Sequence, residues 1–103
     1  MVKEHGKLAY MKGILRSYPK IRVKPPEKRT RSEQRRVEIV ESVLDAVSHM
    51  PDAQSRRKII DLVYFQQVHT LRGAALQIPV SERTAARWNG QLMELIEETA
   101  ALP

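Results

Sequence analysis

The residues whose types and spacing could do chemistry lie in Ser81-Glu82-Arg83-Thr84-Ala85-Ala86-Arg87. A serine followed by an acidic residue is the pattern of a capped helix start. The serine oxygen can accept from amides of the first turn, and the carboxylate faces the positive end of the helix dipole. Counting on from Ser81 puts Glu82, Arg83, Ala86, Arg87 and Gly90 on the outer side of that helix. Arginines four residues apart near a helix start have the geometry to reach base edges and phosphates in a major groove. The chemistry expected is therefore recognition by hydrogen bond and charge.

Bond-breaking chemistry finds no footing. His5, His49 and His69 are isolated, with no carboxylate or histidine at metal-ligand spacing, and no glycine-rich phosphate loop occurs. The chain has no cysteine, which rules out a disulfide framework or a thiolate metal site and fits a reducing cytoplasm. The expectation is a protein that is not an enzyme, with no catalytic residue, no metal and no cofactor.

A reading helix must be held by a partner helix at close range. That requires a small residue where the two touch, a tight turn, an apolar plug in the turn and an apolar inner face. Ala75, Gln77–Pro79, Val80, and Ala85 with Trp88 fill these roles in order, predicting a helix-turn-helix within residues 70–97. The first helix spans Thr70 to Gln77 with Leu71, Ala74, Ala75 and Ile78 inward. The second spans Ser81 to about Thr99 with Ala85, Trp88, Leu92, Leu95 and Ile96 inward. Thr70 and Arg72, at the start of the first helix, join the candidate DNA contacts. Pro79 stands where such turns commonly have glycine at positive φ. A proline predicts a different backbone, with φ near about −65°.

Upstream, Val37, Val40, Val43, Leu44 and Val47 form one face of an amphipathic helix that Ser32 can cap and that ends near Pro51. Asp52 can cap the next helix, whose Ile59, Ile60, Leu62, Val63, Tyr64 and Phe65 cover most of its circumference, as befits a central element. Its basic start, Arg56-Arg57-Lys58, is either a solvated face or a phosphate contact. Leu8, Met11, Ile14 and Leu15 predict a short helix over His5 to Ser17. Tyr18 to Arg31, with three prolines and alternating cations, predicts an extended arm. The division expected is 1–31, a short helix plus basic arm, and 32–103, the helical DNA-binding domain.

Charge supports that division. The net charge is +6 and the first 36 residues hold 12 Lys/Arg against three acidic residues, whereas residues 37–103 hold six against nine. Basicity of that kind points to an anionic partner. Arg29, Arg31, Arg35 and Arg36 are the candidate phosphate contacts near the arm, with a polymerase contact or a plain linker as the alternatives. The longest apolar stretch, IIDLVYF, is short and interrupted by Asp61, and the first twenty residues hold no signal-like apolar run. No membrane association and a cytoplasmic location are expected.

At Tyr64-Phe65 and again in IPVSERTAAR, Ile78–Arg87, the sequence resembles the C-terminal part of RinA and ArpU-type phage transcriptional regulators, which themselves look like region 4 of sigma factors. The resemblance covers roughly residues 54–99, and RSYPKI, Arg16–Ile21, looks like the tyrosine-proline element found upstream in such proteins. It implies an all-α bundle with a C-terminal sigma-region-4-like helix-turn-helix. In it, Ser81, Glu82, Arg83, Thr84 and Arg87 form the DNA-reading end, and the protein activates phage late or packaging genes from near a promoter. Double-stranded DNA is then the partner. Two other readings stay open: a small-terminase-like DNA-recognition subunit of packaging, and a sigma-like module that touches RNA polymerase. A homodimer through the last helix, near Met93 and Leu102, is a further conceivable arrangement.

Overall fold

The computed structural model describes residues 6–101 of the 103; His5 and Leu102, expected as a helix start and a dimer contact, lie outside them. The described chain is all-helical. Five α-helices follow in order: α1 Gly6–Arg22, α2 Arg31–Ser48, α3 Ala53–Ile60, α4 Leu71–Gln77 and α5 Glu82–Thr99. A short 3₁₀ turn, Pro26–Lys28, joins α1 to α2, and a π-helical turn, Asp61–Phe65, extends α3.

The largest departure from the sequence reading is α1, which continues through Pro19 to Arg22 in place of the expected extended arm. Its buried stripe is Met11, Ile14, Leu15, Tyr18 and Ile21, a helical spacing that runs on past the proline. Helical proline costs about 3 kcal/mol, and burying two large side chains returns about 1.5–3 kcal/mol each. Tyr18 and Ile21 are those two. Leu8, expected inward, is 37% exposed, so the stripe begins one turn later. Lys24 then donates its amide to the Ile21 carbonyl, and only residues 23–30 lie between the first two helices.

Thr30, not Ser32, caps α2. Thr30 Oγ1 accepts from the Glu33 amide at 3.1 Å, while Glu33 Oε1 accepts from the Thr30 amide at 2.9 Å. This reciprocal box needs an acidic or amide side chain three residues after the cap. Ser32 would have Arg35 there, which cannot accept. Val37, Val40, Val43 and Val47 are buried as expected, Leu44 is half-buried, and Ile39 joins them.

Asp52 does not cap α3 through its side chain; it sits in the left-handed region at φ 60°, a conformation that aspartate tolerates better than most residues. At the other end of α3 the Gln66 amide reaches the Asp61 carbonyl at 2.7 Å, the wider spacing of a π turn. That turn aims Phe65 at Tyr18, with ring centroids 5.3 Å apart, and Tyr64 at α5, where its hydroxyl donates to Asn89 Oδ1.

Two apolar clusters result. The larger joins α1, α2, Ile60, Tyr64 and the second half of α5 through Leu92, Met93 and Ile96. The smaller holds Ile59, Ala74, Ala75, Ala85 and Trp88, with Leu71, Ile78 and Val80 against it. Helix α5 runs through both, so its exposed face is fixed by the packing of its whole length. Met93 is buried and cannot serve as the surface contact of a dimer.

Pro79 also departs from expectation: its φ is +22°. The reason lies in how α4 closes. Ile78 donates to the Ala74 carbonyl and Val80 donates to the Ala75 carbonyl at 3.3 Å, the six-residue closure in which the residue after the cap takes positive φ. The turn therefore has the hand of the glycine turn. Ile78 and Val80 packed on the smaller cluster hold it there.

Candidate nucleic-acid interface

The start of α5 is built by Ser81. Its Oγ accepts from the Thr84 amide at 3.0 Å and donates to Thr84 Oγ1 at 2.9 Å. Thr84 is half-buried, so this residue belongs to the cap and lies on the flank of the helix. Ala85 and Trp88 face inward and are buried. Glu82, Arg83, Ala86, Arg87 and Gly90 are exposed, giving one open face at the start of the helix.

Helix α4 frames this face. Thr70 Oγ1 accepts from the Gly73 amide at 3.1 Å, and Arg72 approaches Glu82 at 3.7 Å. Both partners of that pair are largely exposed, and such pairs are worth little in water. Its geometry leaves Arg72 beside the first turn of α5. Ala74 and Ala75, both buried, allow the two helices to approach closely, the role expected of Ala75 from its size.

The other candidate contacts are distributed differently. Arg29, expected on a free arm, spends its guanidinium on the carbonyls of Ile21 and Arg22, at 3.3 and 3.1 Å, and on Gln34. It thus caps the end of α1. Arg35 donates to the Thr99 carbonyl at 3.1 Å at the end of α5. Arg36 donates to Ser17 Oγ and lies over the Tyr10 ring. Arg56 donates to the Pro51 carbonyl and to Gln91, and its guanidinium lies 4.9 Å from the Trp88 ring centroid; it ties α3 to α5. Arg57 pairs with Asp61 and lies over Phe65. Lys58 and Arg31 are exposed. Of the basic residues named from sequence, Arg83, Arg87 and Arg72 share the α4–α5 face, while Arg29, Arg35, Arg36 and Arg56 brace the bundle and Arg57 stays with its own helix and the turn that extends it.

The titrations of Tyr18 and Glu33, in the α1–α2 half, are shifted. Burial pushes the Tyr18 phenol up, and the Glu41 carboxylate to which it donates adds to this. The Thr30 amide, followed by Lys24, holds the Glu33 carboxyl below its ordinary value. Neither group lies on the exposed face of α5.

Sequence reasoning passed over Lys12 and Arg16. They are four residues apart, hence on one side of α1, and with Gln67, His69, Thr70 and Asn89 they border a groove floored by Tyr64. The signal was that spacing, which falls inside the helix expected over His5 to Ser17. Among the described residues no group of three or more His, Cys, Asp or Glu is placed to hold a metal ion, and no helix is long and apolar enough to cross a membrane. No family model, curated protein or solved structure matches this chain.

Proposed function

We propose that the protein reads double-stranded DNA by sequence, with α4 and α5 acting as a helix-turn-helix and α5 entering the major groove. One observation carries this reading. The first three turns of α5 expose Glu82, Arg83, Ala86, Arg87 and Gly90 together while Ala85, Trp88 and Leu92 anchor the opposite side. A small-residue row with two arginines and no bulky hydrophobe is what a groove can accept. Arginine's fork matches the acceptors of guanine, so Arg83 and Arg87 are assigned base contacts. Arg72 is assigned a phosphate contact beside them. The resemblance of Ile78–Arg87 to phage late-gene regulators makes promoter-proximal activation the regulatory role proposed.

Arg83→Ala or Arg87→Ala, tested on duplexes selected by the wild-type chain, should each weaken binding by about 1–3 kcal/mol and relax preference at one position of the site. The fold should be untouched, since both side chains are exposed. Equal losses on selected and random duplexes would remove the base-reading role.

A further inference from the structure

The groove beside α4 is lined by Lys12 and Arg16 of α1, by Gln67, His69 and Thr70 ahead of α4, and by Asn89 of α5. Its composition sets it apart from two other open grooves on the surface. One of those holds Asp61, and the other holds Glu94 and Glu98. Among the described residues that line the Lys12–Arg16 groove there is no carboxylate. An anion seated in it meets Lys12 and Arg16 over an apolar and aromatic lining of Val63, Tyr64 and Leu71.

Arg16 is also held in place. The Arg16 guanidinium lies 6.0 Å from the centroid of the Tyr64 ring, and Tyr64 in turn donates its hydroxyl to Asn89. Both Lys12 and Arg16 stand at the border of the buried stripe Met11, Ile14, Leu15 and Tyr18, so the packing of α1 fixes the side from which they project.

The groove runs into the exposed face of α5. Asn89 lies three residues after Ala86 and one before Gly90, both on that face. At the other edge Thr70 is two residues from Arg72, which reaches Glu82 in the first turn of α5. A polyanion crossing the groove therefore meets the reading helix, which a small free anion has no need to do.

We infer that this groove seats the phosphodiester backbone of the same duplex whose bases α5 reads, making α1 part of the DNA interface. The inference rests on reading α5 as a DNA-reading helix. Phosphate contacts carry affinity and salt dependence but not sequence preference. Neutralising Lys12 and Arg16 must then act differently from removing Arg83 or Arg87.

The test titrates the full chain on a selected and a random duplex across a salt series, comparing wild type with Lys12→Gln/Arg16→Gln and with the charge-preserving Lys12→Arg/Arg16→Lys. The glutamine pair should weaken binding equally on both duplexes, and the slope of log K against log salt should flatten by about 0.9 for each phosphate that is no longer neutralised. The charge-preserving pair should keep the wild-type slope. Circular dichroism checks the fold; if the glutamine pair melts early, Lys12→Gln alone supplies the slope, flattened by about 0.9. Wild-type slopes in the glutamine variants would overturn the groove assignment while leaving base reading by α5 standing. A wild-type chain that binds no duplex would overturn the reading of α5, and the groove assignment with it.

Discussion

At residue scale, Pro79 is the sharpest case of a local preference overruled. The closure of α4 demands positive φ at that position, and the proline has +22° while lacking the amide that would make the second bond of the closure. Glycine takes positive φ freely and would supply the missing donor. Pro79→Gly should therefore keep the closure of α4 intact, with helix content by circular dichroism unchanged; a loss of helix would contradict the closure. Glu33 gives a second expectation, this one in pH. Its carboxyl titrates below the ordinary value because the Thr30 amide and then Lys24 favour the ionised form. A depressed acid stabilises the fold above its ordinary pKa, and that contribution disappears as pH falls through the folded value. Urea midpoints of wild type and Glu33→Gln should thus differ near neutrality and converge in acid. A constant gap would mean that the charge of Glu33 is not involved.

At element scale, α4 and α5 are legible because apolar periodicity and capping agree: Ser81 and Thr70 both cap, and Trp88 is buried. Helix α2 is legible from its valine stripe alone, with Thr30 as its cap in place of Ser32. Punctuation is what misleads. Pro19 reads as a stop because proline disfavours helix locally, yet the stripe from Met11 to Ile21 continues across it. Asp52 reads as a cap because its type suits one, yet its backbone is left-handed. The cations form one pool in the sequence, since charge alone does not reveal which guanidinium has a carbonyl or a ring within reach. Helix α1 is consequently part of the core. Ile14, fully buried, should cost about 2–5 kcal/mol when replaced by alanine, and Trp88→Ala about 3–5 kcal/mol. Chemical denaturation followed by circular dichroism measures both. Deleting residues 1–31 should abolish cooperative unfolding, because it removes Met11, Ile14, Leu15, Tyr18 and Ile21 together. A truncated chain that unfolds as sharply as the full one would show α1 to be an appendage.

At the scale of the whole molecule, the charge surplus of the first third is divided between bracing and display. Arg29, Arg35 and Arg36 hold helix ends and side chains of the bundle, while Lys20, Arg22, Lys28 and Arg31 are exposed. A net charge of +6 draws an anion from a distance, but distance gives no sequence preference; that preference is assigned to the open face of α5. The most direct measurement is selection of the full chain against a random pool of duplexes, followed by sequencing of the bound fraction. A short sequence should be enriched with wild type, and the enrichment should fade at individual positions with Arg83→Ala and with Arg87→Ala. A bound fraction with no preferred sequence, or the same enrichment from both variants as from wild type, would contradict base reading by α5.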